Sequence, residues 1–158
     1  MLKLDAIDRK ILAALQDDGR LSNVELAERV GLSPSPCLRR VRQLEHAGMI
    51  IRYVALLDQR AVGLPASVFI SVKLARQQED DLDAFEAEVS RYPEVLECYL
   101  MTGTRDYLLR VATRDLSAYE QFLKTKLTRL DNVASIESSF ALKQVKYTSS
   151  LPLETLGG

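Results

Sequence analysis

Residues Ser22–Gly48, SNVELAERVGLSPSPCLRRVRQLEHAG, decide how this chain folds. Ser22 followed three residues later by Glu25 has the form of a capping box, in which each side chain satisfies a backbone N–H at the other's position. Gly31 supplies the left-handed residue that ends a helix. A second helix opens with Ser33 as N-cap and Pro34 at the first helical position, where a missing N–H costs nothing. Pro36 still lies in that first turn and is tolerated there, and Gly48 closes the helix. About two residues separate the two helices, so the chain must turn sharply, and Ala27 gives the small contact that such a turn needs. The pattern is a helix-turn-helix.

On the second helix, Leu38, Val41 and Leu44 recur at helical spacing and are expected to face the core. Ser35, Arg39 and Arg42 recur on another side, with Arg40 beside them. Arginines on a helix are commonly just a solvated face. Here three of them fall within four positions with only Glu45 as an acid, and the first turn carries small hydroxyl and proline residues that permit close approach. Arginine suits both phosphate oxygens and the guanine edge, and the N-terminal residues of such a helix reach bases. The expected DNA-contacting set is Asn23, Ser33, Ser35, Pro36, Arg39, Arg40, Arg42 and Arg52.

Around this centre the chain is ordinary. Its 158 residues are 47% hydrophobic and 27% charged, which fits a soluble globular protein of one domain or two small ones. No apolar run reaches membrane-spanning length and MLKLDAIDRK lacks the apolar core of a signal peptide, so a cytoplasmic, nucleoid-associated protein with no membrane partner is expected. Cys37 and Cys98 fall in different segments, and each reads as a small buried hydrophobe rather than half of a disulfide or a metal ligand. The net charge of −1 divides unevenly: residues 1–60 hold ten Lys and Arg against eight acids, and residues 61–158 hold eleven against fourteen. DNA binding must therefore rest on local clustering rather than on a strong overall field.

Before the central stretch, Asp5 is a plausible N-cap for a helix carrying Ile7, Ile11, Leu12 and Leu15 and ending near Asp18-Gly19. After it, residues 49–57, MIIRYVALL, read as the strand of a wing, from which Arg52 either reaches a phosphate or simply faces water. Residues 58–66, DQRAVGLPA, with Gly63 and Pro65, read as a hinge between domains 1–57 and 67–148, with a tail at 149–158. Val68, Ile70, Val72 and Leu74 then alternate with Phe69, Ser71 and Lys73, a period of two that marks a strand. A helix with Leu82, Phe85 and Val89, strands over 95–101 and 107–113, a helix with Leu116, Tyr119, Leu123 and Leu130, and a strand over 134–142 complete the order βαββαβ. That order predicts a ferredoxin-like antiparallel sheet with both helices on one face, an α+β protein overall. The other face, with Phe69, Tyr99 and Met101, is too apolar to stand in water, and a second copy is its simplest cover. The tail's Leu151, Leu153 and Leu156 either dock or fray, and fraying is the default.

These residues carry a resemblance. The run SNVELAERVGLSPSPCLRRVRQLEHAGMI, the preceding LDAIDRKILAALQDDGR, the linker and GTRDYLL at 103–109 are similar to the Lrp/AsnC family of leucine-responsive, feast/famine transcription regulators. The resemblance implies a winged helix-turn-helix joined to a ferredoxin-like ligand domain, assembly as dimers and often as octamers of four dimers, and a free amino acid as effector. It implies effector contacts near Met101, Thr102, Gly103, Thr104, Arg105, Asp106 and Tyr107, with Ile136 and Ser138 on the last strand; family members often carry Thr where this chain has Ile136. Independently, Gly103 after a strand allows backbone N–H groups to point at a carboxylate, and Asp106 can accept from an α-ammonium. On the residues alone, a plain hairpin in which Gly103 makes the turn and Asp106 caps it is the better reading, and only the resemblance reverses it.

The residues offer no catalytic constellation. The single histidine, His46, ends the second helix, where a cation complements the helix dipole, and no Gly-rich phosphate loop, CxxC or HExxH occurs. The acids Glu79, Asp80, Asp81 and Asp83 open a predicted helix and suit its dipole better than a metal. No enzyme, cofactor or metal is expected. Three classes are weighed: an amino-acid-responsive regulator, an architectural DNA-binding protein that binds no ligand, and an enzyme on the ferredoxin-like scaffold, which the SPSPCLRRVR helix argues against.

Overall fold

In the computed structural model, which describes residues 4–153, three helices come first: α1 Ala6–Asp17, α2 Asn23–Val30 and α3 Pro34–His46. Their ends follow local chemistry. The Asp5 carboxylate accepts the N–H groups of Ile7 and Asp8, and Asp8 returns a bond to the Asp5 N–H, a capping box at the start of α1. Ser22 and Glu25 repeat the device on α2, and the Ser22 hydroxyl and backbone hold the Glu25 carboxyl below its usual range. Gly31, at φ 75°, ends α2 in the left-handed conformation. Ser33 is the N-cap of α3, yet its hydroxyl makes no capping bond; Pro34 at the first position does the pre-organising.

The three helices close on Ile11, Leu12 and Ala14, Leu26, Ala27 and Val30, and Cys37 and Leu44. Here the expected core stripe of α3 is corrected. Cys37, Val41 and Leu44, spaced i, i+4, i+7, face inward, while Leu38 is 37% exposed, one residue and about 100° around the helix from the seam.

Two further expectations fail in this part of the chain. Residues 51–58 are not in a strand, so no wing ladder forms: a strand needs a partner row of N–H and C=O groups, and one copy of the chain supplies none there. Ile51, Val54, Leu56 and Leu57 stand exposed along it, and only Tyr53 is tied back, its hydroxyl donating to Glu45 at 3.0 Å. Partial burial, with Glu45 second, pushes the Tyr53 phenol up to about 12. The tail does not fray where it is described. The Gln16 side-chain amide accepts from the Leu151 N–H at 2.7 Å and donates to the Leu151 carbonyl at 3.2 Å, and Leu153 packs on the core of the three helices. Leu156 lies outside the described residues. Accordingly the described residues divide into a unit of residues 4–56 with 146–153 and a unit of residues 57–145.

In the second unit, β1 Ala66–Leu74, α4 Glu79–Val89, β2 Val95–Leu100, β3 Tyr107–Thr113, α5 Leu116–Thr125 and β4 Val133–Phe140 give a sheet in the order β2-β3-β1-β4, every pair antiparallel. A short 3₁₀ turn, Leu127–Arg129, extends α5. Val68, Ile70, Val72 and Leu74 of β1 and Tyr107, Leu109 and Val111 of β3 face one way, onto Phe85 and Val89 of α4 and Tyr119 and Phe122 of α5. Full burial of each such side chain is worth about 1.5–3 kcal/mol. The expected ferredoxin-like α+β architecture is what forms.

The region read as a hinge is instead a closed turn. Asp58 accepts the N–H groups of Arg60 and Ala61 through its carboxylate and that of Val62 through its carbonyl. Gln59 binds the Leu64 carbonyl and the Ser67 hydroxyl of β1. Gly63 and Pro65 shape this turn rather than loosening it.

Candidate functional site

The first candidate surface is the outward stripe of α3. Ser35, Leu38, Arg39, Arg42, Gln43 and His46 border a shallow concavity of about 410 Å³. Among the described residues neither the Arg39 nor the Arg42 side chain has an ion-pair or hydrogen-bond partner, and no acid belongs to this border. His46 is fixed by a 2.6 Å contact from Nδ1 to the Arg42 carbonyl. A helix surface with two uncompensated guanidiniums suits a polyanion.

Two residues expected to touch DNA are occupied within the fold. Arg40 Nη1 donates to Asp5 Oδ2 at 2.7 Å and to Asp8 Oδ1 at 2.8 Å, clamping α3 to the start of α1. The Asp8 N–H first, and Arg40 second, hold the Asp5 carboxyl below its usual value, while Asp5 and Asp8 raise that of Arg40. Asn23 donates through Nδ2 to the Pro34 carbonyl at 2.7 Å, tying the start of α2 to the start of α3. Both residues position α3. Ser33, Ser35 and Arg52 are exposed and Pro36 is half-buried. Leu38, Gln43 and His46 join this border although none belongs to the expected DNA-contacting set, Leu38 because it faces outward rather than into the core.

The second candidate surface is the connection between β2 and β3. Met101 through Thr104 are exposed, Gly103 has φ 114°, and no Cβ clash would arise there, so the demand for glycine is conformational. The Met101 N–H donates to the Asp106 carbonyl at 2.8 Å and the Asp106 N–H to Val72 at 2.9 Å. Asp106 Oδ2 accepts the Leu74 N–H at 2.7 Å, with Gln77 Nε2 at 3.4 Å. No hydrogen bond among the described residues uses the N–H groups of Thr102, Gly103 or Thr104. Arg105 reaches across to β4, to Ser135 Oγ at 2.8 Å and Glu137 Oε2 at 2.7 Å.

The structure splits the expected effector set. Ile136 pairs with Val72 and packs on the helix-side core; Ser138 pairs with Ile70 and bonds to the Tyr119 hydroxyl. Tyr107 is buried against Phe85, its ring centroid 4.5 Å away, and its hydroxyl donates to Glu86 at 2.6 Å. Burial raises the phenol pKa of both Tyr107 and Tyr119. The side chains of Tyr107, Ile136 and Ser138 therefore lie on the helix side of the sheet, and those that meet Arg105 are Ser135 and Glu137, on the opposite side. The alternation of β4 could have revealed this once its pairing with β1 was known.

A family model described as the Lrp/AsnC ligand binding domain matches residues 67–151, and one described as winged helix-turn-helix DNA-binding matches residues 4–51. The chain belongs to the Lrp/AsnC family of transcriptional regulators. Among Lrp/AsnC relatives, the Bkd operon transcriptional regulator of Pseudomonas aeruginosa is 50% identical over 153 residues, 97% of this chain and all of that protein's length. The leucine-responsive regulatory protein of Escherichia coli is 43% identical over 152 residues, 96% of this chain and 93% of that one. A crystal structure of a Neisseria meningitidis transcriptional regulator in complex with L-Met superposes with a TM-score of 0.92 at 48% identity, covering 96% of this chain and 97% of that one. As in these Lrp/AsnC proteins, a DNA-binding helix-turn-helix and a ligand-binding α/β domain share one chain. No helix among the described residues is long and apolar enough to cross a membrane.

Proposed function

We propose that this protein binds double-stranded DNA through the outer stripe of α3, and that its DNA affinity and assembly respond to a free amino acid held at residues 101–106. The observation that carries the reading is the pair of uncompensated arginines, Arg39 and Arg42, on an acid-free helix face. For the effector, the free N–H groups of residues 102–104 offer a carboxylate site, and Asp106, whose Oδ1 has no hydrogen bond among the described residues, offers an acceptor for an ammonium. The L-Met bound by the Neisseria relative makes methionine the first amino acid to try.

Assembly follows from the sheet face opposite the helices, where Phe69, Tyr99 and Met101 are 39%, 52% and 44% exposed. A second copy covers it, and the dimer presents two recognition helices to a pseudo-palindromic site; four such dimers form an octamer. The effector favours one assembly geometry over another, and that difference sets DNA affinity by linkage. The protein works in the cytoplasm, on the nucleoid.

A second reading, an architectural DNA-binding protein without a ligand, is favoured by one fact: Asp106 and Arg105 already have internal partners in Leu74 and Glu137. A thermal-shift screen against the twenty amino acids separates the two. A ligand at a hundred times its dissociation constant adds about 2.7 kcal/mol of apparent stability. Asp106→Asn keeps an acceptor for the Leu74 N–H and removes the charge. The expected result is a shift with one small group of amino acids that Asp106→Asn abolishes. No shift with any amino acid overturns the effector reading in favour of the architectural one.

A further inference from the structure

We propose that Leu38 reads DNA sequence, its side chain meeting the C5 methyl group of a thymine in the major groove. The inference rests on the DNA-binding reading above and adds a residue that discriminates between bases.

Leu38 is the fifth residue of α3, and the apolar seam of the helix is completed without it by Cys37 and Leu44, both fully buried, and by Val41. Its own neighbours three and four positions away are Ser35 and Arg42, with Arg39 adjacent, and all of them border the same shallow concavity. An exposed leucine ringed by a hydroxyl and two unpaired guanidiniums is poorly placed for a protein partner, because docking there would desolvate two cations that have no acid on this face. Duplex DNA resolves the conflict. Phosphates and guanine edges take the long arginines, and the major groove offers one apolar group, the thymine methyl, to a shorter side chain between them.

The approach is also sterically open. Ser35 and Pro36 keep the first turn of α3 small on this side. The N-terminal half of a recognition helix is the half that reaches base edges, and position 38 lies within it. Arg39 and Arg42 can take either a phosphate or a guanine edge, whereas a methyl contact exists only at thymine. Leu38 is therefore the residue on this stripe that has no phosphate contact to fall back on.

The test starts from duplexes that the full-length protein enriches from a random pool. Each thymine of the enriched site is then replaced singly by deoxyuridine, which removes the methyl and leaves the pairing edge intact. Wild-type protein should lose about fourfold in affinity at one thymine per half-site, the worth of one buried methyl group. Leu38→Ala should bind more weakly yet show no loss at that position, while Leu38→Met, which keeps an apolar reach, should retain sensitivity there. If no uracil weakens wild-type binding, or if the loss persists in Leu38→Ala, Leu38 does not read thymine. A pool that enriches nothing overturns the DNA-reading function itself.

Discussion

The outer stripe of α3 and the open face of the sheet both carry arginines, and they treat them in opposite ways. On α3, Arg39 and Arg42 have no partner among the described residues. On the sheet, Arg105 bonds to Glu137 and Ser135, and Arg110 Nε donates to Glu97 at 2.7 Å, with the Tyr99 hydroxyl on the other oxygen of that carboxylate. A face whose cations are neutralised internally can be covered by protein, since few charges are left to desolvate. A face whose cations are left free is held ready for phosphate. The comparison also runs within one turn of helix: Arg40, between the two free arginines, is taken by Asp5 and Asp8. Charge count therefore says less about DNA contact than where each acid stands.

The largest effect that can break this comparison is on DNA itself. Arg39→Ala should weaken operator binding by about 1–3 kcal/mol if it reads a base, with partial loss of sequence preference, and Arg42→Ala similarly. Arg91→Ala, which removes the Glu88 partner on α4, should leave affinity unchanged. Gel-shift titrations measure both; an equal loss in Arg91→Ala would erase the distinction between free and paired cations.

Next in size is the clamp. Arg40→Ala should lower the melting temperature, and the double variant Arg40→Ala/Asp8→Ala should lose less than the sum of the two single losses, since the Arg40–Asp8 bond is counted in both while the Asp8 bond to the Asp5 N–H is lost only with Asp8. Additive losses in a four-variant melting series would show that the pair does not act as a unit.

The pH response sharpens the same point. Asp5 has a folded pKa below its unfolded value of 3.8, so its contribution is fully present above 3.8 and is lost as pH falls below it through the folded value. Melting temperatures between pH 5 and pH 3 should fall less steeply in Asp5→Asn, which cannot titrate; parallel curves would remove Asp5 from the acid response. The smallest effect concerns the tail. Gln16→Ala removes both bonds to Leu151 and should speed proteolytic cleavage after residue 146 without altering DNA affinity. Unchanged cleavage would mean that Leu153 alone holds the tail.

The helix ends were readable because caps are local: Ser22 with Glu25 and Gly31 act within a few residues of one another. β1 was readable because Val68, Ile70, Val72 and Leu74 alternate strongly with their neighbours. The rest turned on partners that composition alone does not reveal. MIIRYVALL has strand composition, but pairing is a property of two segments. DQRAVGLPA looked loose because Gly63 and Pro65 outweighed the bonds that Asp58 and Gln59 make. Leu38 reads as core because 38, 41 and 44 fit the helical period nearly as well as the 37, 41 and 44 that face inward. The loop 101–106 was found by resemblance, whereas Ser135 and Glu137 required the register of β4.

The most direct test is the salt dependence of operator binding for wild type, Arg39→Ala, Arg42→Ala and Arg40→Ala. A side chain that neutralises a phosphate contributes about one unit to the slope of log affinity against log salt. The slope should fall by about one unit in at least one of the Arg39 and Arg42 variants and stay at the wild-type value in Arg40→Ala. A fall of the same size in Arg40→Ala, with no change in the other two, would contradict the division of these three arginines into two that face DNA and one that holds the helix.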